Sequence, residues 1–369
     1  MIQWDLASAP APHWIYQIYY VCTKVLFQRK IMSIRIGIIG AGAMARAHLG
    51  ALQNDPRAEL VALSSRTRTN AEGLCESFGL DYVEDWQQLL NMNLDAIYVL
   101  TPDGFHRDYA VAVLENNIHL FLEKSLELDL AKGRDIVAAG KTAAAKGIKT
   151  LMGYPLRFDP HFRLMKKILT QESSGKVLYG SSIRTHFLTN DMEMYDKYRD
   201  ENYSPPAWYF EEKNFGPIYS HGSHDYDYMR WFADSEVKSV YAVARRALLP
   251  EGCAPDAFFT TLEFENGAIA NVSTPWITRV EYDMITIAAE NVTVQNQNNK
   301  VLWQDAKMEA AEEFEYDLWA NINGHFLDVI ENKAEPLCTL EDGLAAVTIA
   351  TAAVQSSKSG APVKIAEIK

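Results

Sequence analysis

The chain has 369 residues, which is long for a single hydrophobic core and suits two domains. Its 48% hydrophobic and 22% charged residues are ordinary for a globular protein, and its formal net charge of −13 argues against a general binder of nucleic acids or anionic membranes. The four cysteines show no paired spacing, so we expect no disulfide framework, no cysteine-based zinc site, and a reducing, cytoplasmic compartment.

Residues 1–31 do not share the pattern of the rest of the chain. Residues 14–27 are aromatic and apolar, but Lys24 interrupts them and they are too few to span a bilayer. Basic residues follow this apolar stretch, whereas a secretory signal has them before it. We therefore interpret residues 1–31 as an extension, disordered or misassigned, with Met32 starting the functional protein. A membrane-touching or targeting segment is the alternative.

The first strong signal is an apolar strand that leads into a glycine-rich turn. Residues 34–39 are followed by Gly40-x-Gly42-x-x-Ala45 and an alanine-rich helix. Gly40 permits a tight turn, Gly42 lets the backbone approach a diphosphate at the helix N-terminus, and the small Ala45 lets the helix pack closely. The pattern predicts dinucleotide binding, and the alternative is a glycine-rich turn in an unrelated α/β domain. The residues expected at the diphosphate are Gly40, Ala41, Gly42, Ala43, Met44 and Ala45.

Strand and helix signals alternate from residue 33 to residue 152. The predicted strands are 34–39, 60–63, 96–100, 119–122 and 149–152, and the predicted helices are 43–52, 69–78, 86–90, 108–115 and 130–145. Short buried strands that alternate with helices indicate a parallel sheet covered on both faces. We therefore predict an α/β Rossmann domain over residues 32–154.

The end of the second predicted strand carries information on the cofactor. Sites specific for NAD usually have an acidic residue there, which binds the adenosine ribose. In this chain Ser65 and Arg66 stand at that position. A hydroxyl and a guanidinium suit a 2′-phosphate, so they favour NADP over NAD. The alternative is that Arg66 belongs to a solvated basic loop.

Two further loops follow strands of the predicted parallel sheet, at the edge where ligand crevices lie. A lysine in such a loop, beside the nicotinamide, can donate to a substrate hydroxyl or alkoxide. An isolated surface lysine is the alternative, which this placement disfavours. The loop residues expected at the cofactor are Thr101, Pro102, His106, Glu123 and Lys124.

The pattern changes after Tyr154. A predicted helix at 159–169 precedes strand-like segments at 177–187, 237–243, 258–264, 268–273, 284–288 and 292–294. Asn266 and Gly267 supply a hairpin turn between two of these strands. Consecutive strands joined by turns indicate a largely antiparallel sheet, so we predict an α+β domain over residues 155–338.

The chain is predicted to end in one more helix. Thr339-x-x-Asp342 is a capping-box pattern, and Gly360 is a residue that readily ends a helix. We therefore assign residues 339–369 to a C-terminal helix and tail.

These motifs, with Arg157-Phe158 and Gly222-x-His224-x-x-Asp227, resemble those of the glucose–fructose oxidoreductase/inositol dehydrogenase/MocA-like family. The resemblance covers about residues 32–365. It implies a dinucleotide domain and an open-faced, predominantly antiparallel sheet domain. It also implies NAD(P)-linked oxidation or reduction of a sugar or cyclitol carbon, in dimers or tetramers that pair through the open sheet. By this match Lys124 corresponds to the family's active-site lysine and His224 to its catalytic histidine.

The implied chemistry suits these two side chains. Removal of a hydride from a secondary alcohol also requires loss of the hydroxyl proton, which a neutral imidazole accepts. A nearby ammonium stabilises the developing alkoxide. Asp227 lies at helical spacing from His224, and we expect it to orient the ring. The alternative is a core helix whose histidine is an ordinary satisfied polar residue.

Two positions depart from the family's pattern. Where the family usually has an aspartate four residues before the catalytic histidine, this chain has Ser220, and the neighbouring His221 is a candidate to replace the carboxylate. Where the family commonly has proline after Glu-Lys, this chain has Ser125, so a stiffened turn is lost and a cis bond becomes costly. Neither departure removes the lysine–histidine pair.

Weaker candidates lie near the predicted domain junction. Arg157, Tyr154 and Trp208 are candidates for substrate contacts. For Arg157 a structural ion pair is an equal alternative, and for Trp208 the alternative is a loop anchored in the core. His221, His224 and Asp225 do not make a complete metal-ligand set, so we expect no metal site.

The sequence thus predicts an NADP- or NAD-dependent dehydrogenase or reductase that acts on a secondary alcohol or ketone of a sugar, cyclitol or related polyol. The expected partners are a carbohydrate-like small molecule and further copies of the chain, in a homodimer or homotetramer, without nucleic acid or membrane. Two other functions stay open. One is an NAD-dependent glycosidase that oxidises its substrate transiently, and the other is a dinucleotide-sensing binding protein without turnover.

Overall fold

The computed structural model describes residues 33–185, 211, 216–249, 251–278, 282–297, 300–305 and 309–369. The predicted extension at 1–31 and the substrate candidate Trp208 lie outside these residues. Within the described ranges, no helix combines the length and the hydropathy that a membrane span requires.

The first half of the chain forms a six-stranded parallel sheet with the spatial order β3-β2-β1-β4-β5-β6. This doubly wound order confirms the predicted Rossmann fold and places a ligand crevice at the carboxyl ends of β1 and β4. The sequence does not predict β3, because three residues are too few to show a periodic pattern. The strands are β1 (Ile34–Ile39), β2 (Ala58–Ser64), β3 (Asp81–Val83), β4 (Ala96–Val99), β5 (His119–Glu123) and β6 (Thr150–Gly153).

Helices connect these strands and cover the sheet. Apolar side chains of β1 and β4 are fully buried, as expected of a sheet with helices on both faces. The predicted segment at 86–90 is a short 3₁₀ helix, Trp86–Asn91. The α-helices of this half are α1 (Ala43–Leu52), α2 (Arg68–Phe78), α3 (His106–Glu115) and α4 (Leu130–Ala144).

The second half forms a nine-stranded sheet with the order β14-β13-β12-β11-β7-β10-β9-β8-β15. All neighbouring strands are antiparallel except β7 and β10, which confirms the predicted, predominantly antiparallel sheet. The strands are β7 (Val177–Thr185), β8 (Val237–Arg245), β9 (Ala257–Phe264), β10 (Ile269–Pro275), β11 (Tyr282–Ala289), β12 (Val292–Gln297), β13 (Lys300–Asp305), β14 (Glu309–Glu313) and β15 (Val363–Lys364).

In the described ranges of the second half, four α-helices occur: α5 (Pro160–Leu169), α6 (Ser223–Ala233), α7 (Leu318–Ile330) and α8 (Leu340–Ser359). The capping box of α8 is present, because Thr339 and Asp342 exchange side-chain and backbone hydrogen bonds, and Gly360 ends the helix in the left-handed region. Helix α8 packs against α4, α6 and β8, so it joins both halves. Helix α7, which the sequence does not predict, packs against α1 of the Rossmann domain.

The second sheet has one buried face and one open face. Along β9, Phe258, Leu262 and Phe264 are buried while the intervening residues are exposed, as the alternation in the sequence predicts. The hairpin turn from β9 to β10 uses Gly267 at φ 89°. Pairing register places five exposed apolar side chains on the open face: Tyr179, Tyr241, Val243, Phe259 and Ile269.

Candidate active site

The turn after β1 has the geometry of a diphosphate cradle. Gly40 has φ 118°, and a Cβ there would lie 2.5 Å from the carbonyl oxygen of Leu100, so only glycine fits. Gly42 is exposed, and a Cβ there would meet nothing within 4 Å, so the space in front of its backbone is open. This space lies directly before the first turn of α1.

The first turn of α1 is suited to an anion. No side chain caps its N-terminus and no acidic residue stands in its first turn, so its backbone N–H groups and its dipole face the open space. Ala45 is fully buried against the sheet, as its small side chain predicts. Ala41 and Met44 are half-buried at the rim, and Ala43 is exposed. The residues present therefore fit the diphosphate of a dinucleotide.

The end of β2 carries an available positive charge. The Arg66 guanidinium lies 4.3 Å from the centroid of the Phe105 ring, which belongs to the loop after β4. Among the described residues no carboxylate forms an ion pair with Arg66. Ser65 is half-buried beside it and accepts a hydrogen bond from the backbone N–H of Thr67 at 3.3 Å. A hydroxyl and a guanidinium without a described carboxylate partner thus stand at the end of β2.

The loop after β4 is held from inside by His106. Thr101 and Pro102 are half-buried at the crevice, but His106 is fully buried. Its Nε2 lies 2.7 Å from the carbonyl oxygen of Thr101, and its Nδ1 lies 3.2 Å from that of Leu126. Both ring nitrogens face backbone carbonyls, so the ring ties the β4 loop to the β5 loop, and its contact with the cofactor stays a prediction.

Glu123 is also held from inside the protein. Its side chain is buried, one carboxylate oxygen accepts the backbone N–H of Lys124 at 2.8 Å, and the other lies 3.3 Å from Nε2 of His48. Both oxygens therefore have partners inside the protein and Glu123 holds the lysine loop, while its contact with the cofactor stays a prediction. Sequence reasoning missed His48, although a histidine among the apolar positions of α1 is a readable signal.

Lys124 and Ser220 come together across the two halves of the molecule. The Lys124 Nζ donates a hydrogen bond to the Ser220 Oγ at 2.9 Å. Ser220 is buried in a π-helical turn, Pro217–Gly222, that leads directly into α6. The position at which the family usually has an aspartate thus faces the lysine, with a neutral hydroxyl in place of a carboxylate.

Ser125, the second departure, joins the same two segments. Its hydroxyl donates to the carbonyl oxygen of Tyr219 at 2.5 Å and lies 3.2 Å from the Ser223 hydroxyl. The Lys124–Ser125 peptide bond is cis. The two residues that depart from the family's pattern therefore both connect the lysine loop to the helix that carries His224.

His224 lies one helical turn after Ser220, at the spacing that places two side chains on one helix face. Its ring contacts the edge of the Tyr154 ring, with centroids 5.6 Å apart, and lies 6.3 Å from the ring of His221. Tyr154 has no exposed surface and packs against the imidazole, and its contact with the substrate stays a prediction. His221 in turn contacts the ring of Trp276.

Arg157 and Asp227 form a buried ion pair. Nε and Nη2 of Arg157 donate to the two carboxylate oxygens of Asp227 at 2.9 and 2.8 Å. Nη1 donates to the carbonyl oxygen of Leu337 and to Asp342. Because Arg157 is 4% exposed and its donors are used, the alternative of a structural ion pair replaces the expected substrate contact. Asp227, with both oxygens on Arg157, does not orient His224 as expected.

Asp225 has its partners on β7 and on its own helix. It is fully buried, its carboxylate accepts hydrogen bonds from Ser182 and Tyr228, and it lies 3.4 Å from Nη1 of Arg184. Burial raises the pKa of this carboxyl group, and the neighbouring guanidinium and hydroxyls oppose that rise. No group of three His, Cys, Asp or Glu side chains suited to a metal occurs in the described ranges.

Comparison with known proteins agrees with this architecture. The family model for the NAD-binding Rossmann fold of the GFO_IDH_MocA oxidoreductases matches residues 34–153, and the model for the GFO/IDH/MocA C-terminal domain matches residues 162–295.

Relatives match over nearly their whole length. The oxidoreductase YrbE of Bacillus subtilis is 28% identical over 345 residues, covering 89% of this chain and 96% of the relative. The scyllo-inositol 2-dehydrogenase (NAD(+)) of the same organism is 24% identical over 352 residues, covering 90% and 96%.

A solved structure shows the same fold. The WlbA dehydrogenase from Bordetella pertussis, in complex with NADH and UDP-GlcNAcA, has a TM-score of 0.73 at 22% identity and covers 90% of this chain and 97% of its own. With the dinucleotide cradle, the open-faced sheet and two matching family models, the chain belongs to the Gfo/Idh/MocA family of NAD(P)-dependent oxidoreductases.

Proposed function

We propose that the protein transfers a hydride between NADP and a secondary alcohol or ketone carbon of a sugar, cyclitol or related polyol. The observation that carries the proposal is the 2.9 Å contact from Lys124 to Ser220, which places an ammonium of the Rossmann domain beside the helix that carries His224. The relative named as a scyllo-inositol dehydrogenase supports the substrate class.

The dinucleotide, when bound, supplies the nicotinamide that accepts or gives the hydride. The Lys124 ammonium donates a hydrogen bond to the reacting oxygen and stabilises the negative charge that develops there. The Ser220 hydroxyl orients this ammonium without neutralising it, because a hydroxyl carries no charge. The His224 imidazole takes the proton of the substrate hydroxyl in oxidation and returns it in reduction.

Support for NADP comes from the end of β2. Arg66 has no described carboxylate partner, and its guanidinium carbon lies over the Phe105 ring, which restrains the long side chain beside the crevice. A carboxylate, which would repel a 2′-phosphate, is absent from this tip. We therefore expect a higher kcat/KM with NADPH than with NADH.

The open face of the second sheet supports a homodimer or homotetramer. Its row of exposed apolar side chains is the kind of surface that another copy of the chain covers. Sedimentation of the purified protein tests this assembly, and a monomer at all concentrations would contradict it.

The described cysteines Cys75, Cys253 and Cys338 are free thiols, which supports the proposed reducing, cytoplasmic compartment.

The decisive experiment replaces Lys124. The wild type and Lys124→Ala are assayed with inositols, aldoses and ketoses, with both cofactors, by the absorbance of reduced nicotinamide. We expect Lys124→Ala to bind NADPH within about 3-fold of the wild type, because the diphosphate cradle is untouched, and to lose on the order of 1,000-fold in kcat. Lys132→Ala, an exposed lysine on α4, is the matched control. Normal turnover by Lys124→Ala would contradict the proposal.

The same assay separates the two other functions. Release of free sugar from a glycoside without net reduction of the cofactor would select the glycosidase. Tight dinucleotide binding with no turnover on any substrate would select the sensing protein. Either result would replace the proposed dehydrogenase activity.

A further inference from the structure

A buried polar contact links three segments behind the lysine loop. Nδ1 of His48 on α1 lies 2.8 Å from Oδ1 of Asn323 on α7, and its Nε2 lies 3.3 Å from the Glu123 carboxylate at the end of β5. The three residues are at most 3% exposed. They connect the helix of the diphosphate cradle, the strand that carries Lys124, and a helix about 200 residues further along the chain.

The hydrogen-bond pattern shows which ring nitrogen of His48 donates to Asn323. Asn323 donates through Nδ2 to the carbonyl oxygen of Trp319 at 2.8 Å, so its Oδ1 is the acceptor that faces His48. Nδ1 of His48 therefore carries a hydrogen. Nε2 is then the ring nitrogen that faces the Glu123 carboxylate.

The ring of His48 is also held by its surroundings. It lies edge-on to the rings of Phe121 and Trp319, with centroids 4.8 and 5.0 Å away, and is tilted against Tyr98 at 5.7 Å. An imidazole in such a cage has one orientation. Its position therefore fixes the Glu123 carboxylate, and that carboxylate accepts the backbone N–H of Lys124 at 2.8 Å.

We propose that His48 is a positioning residue for Lys124, acting through the carboxylate of Glu123 and oriented by Asn323. The three residues are named here the His48 relay. The inference rests on the proposed role of Lys124, since a displaced lysine backbone moves the ammonium away from the reacting oxygen. Because the relay begins on α1, it also ties the lysine loop to the helix whose N-terminus faces the diphosphate.

The test compares His48→Phe with Glu123→Gln. Phenylalanine fits the aromatic cage but donates to neither partner. Glutamine keeps both contacts, because its oxygen accepts the Lys124 N–H and its amide donates to Nε2 of a neutral His48. Hydrogen exchange at the Lys124 amide in the cofactor-free protein is the first readout. We expect exchange to be faster by on the order of 10-fold in His48→Phe and near the wild-type rate in Glu123→Gln.

Kinetics provide the second readout. We expect His48→Phe to lose about 100-fold in kcat with the Kd for NADPH within about 3-fold, as expected for a misplaced group outside the cofactor cradle. Glu123→Gln should stay within about 3-fold in kcat. If His48→Phe does not fold, Asn323→Ala replaces it and should lose about 10-fold in kcat. Asn321→Ala, on the same helix but outside the relay, is the control.

The outcomes distinguish this inference from the proposed function. Wild-type amide exchange and kcat in a folded His48→Phe or Asn323→Ala protein would overturn the relay. An equal loss in Glu123→Gln would also overturn it. Lys124→Ala in the same kinetic assay tests the proposed function. The amide exchange readout tests the relay separately, because it does not depend on turnover.

Discussion

The diphosphate cradle and the lysine–histidine junction are built in opposite ways. The cradle is one contiguous segment, residues 40–45, and it acts through backbone geometry. At residue 40 the positive φ and the nearby carbonyl oxygen of Leu100 exclude any side chain, and at residue 42 glycine keeps open the space in which we expect the diphosphate. The junction brings Lys124 and Ser220 together from different halves of the molecule, and it acts through side chains.

This difference explains where the chain keeps the family's pattern and where it departs from it. Backbone geometry at the cradle admits few substitutions, and the glycines stand where the family has them. At the junction, one hydrogen-bonding side chain can replace another if the contact is kept. Ser220 keeps an acceptor for Lys124, and Ser125 makes a new hydrogen bond to the carbonyl oxygen of Tyr219.

The largest expected effect is that of Gly40→Val in the cradle. A side chain at φ 118° is strained, and its Cβ would lie 2.5 Å from a backbone oxygen that cannot move without displacing β4. We expect the free energy of unfolding to fall by about 4 kcal/mol or more, measured by urea denaturation of the cofactor-free protein. A variant as stable as the wild type would contradict the backbone account of the cradle.

Gly42→Ala is the matched control for that substitution. Gly42 has φ −89°, which alanine adopts readily, and its Cβ would meet no protein atom within 4 Å. The free energy of unfolding should therefore change by less than about 1 kcal/mol. The added methyl group occupies the space for the diphosphate, so the Kd for NADPH should rise on the order of 100-fold. Unchanged affinity would show that the diphosphate does not bind there.

A smaller effect is expected from Ser220→Ala at the junction. The change removes the acceptor of the Lys124 ammonium but leaves the charge in place, so kcat should fall about 10-fold while the Kd for NADPH stays within about 2-fold. Steady-state kinetics and a cofactor titration measure the two quantities. Ser77→Ala, which removes an exposed hydroxyl on α2, is the control. Wild-type kcat in Ser220→Ala would show that the lysine needs no partner at residue 220.

The same contrast explains what could be predicted from the sequence. The Rossmann sheet, the cradle and the capping box of α8 follow from local patterns of period, glycine placement and capping. Sheet strands β13 and β14 lack such patterns, whereas helix α7, which is also unpredicted, has one: Asp317 caps its N-terminus, and Ile322, Phe326 and Val329 are buried at helical spacing. The burial of Glu123 and His106 was not predictable either, because each has a partner at least 20 residues away in sequence and no periodic signal joins the two.

Arg157 illustrates the same limit at the junction. The sequence leaves substrate binding and a structural ion pair equally open, because a guanidinium suits both. The choice depends on Asp227 and Asp342, which lie 70 and 185 residues further along the chain and reach Arg157 only in the folded protein. A contact between residues so far apart in the sequence leaves no local pattern from which it could be predicted.

The smallest expected effect concerns the pH dependence of the contact between Asp342 and Arg157. The diphosphate cradle acts through its backbone, so we expect no such pH dependence there. Burial tends to raise the pKa of Asp342, but the charges of Arg157 and Arg230 and hydrogen bonds from Thr339 outweigh it, so the pKa lies below its ordinary value. A depressed native pKa stabilises the fold above the unfolded pKa of about 3.9, and that contribution is lost as the pH falls through the native pKa.

Asp342→Asn keeps the shape of the side chain and removes its charge. We expect it to lower the free energy of unfolding by about 1 kcal/mol at pH 7, and the difference from the wild type should shrink as the pH falls below about 4. Urea denaturation at a series of pH values measures the difference. Asp108→Asn, at an ion pair whose aspartate is 79% exposed, should show little effect at any pH because solvent screens the pair. A pH-independent loss in Asp342→Asn would mean that its carboxylate acts at the junction by shape and not by charge.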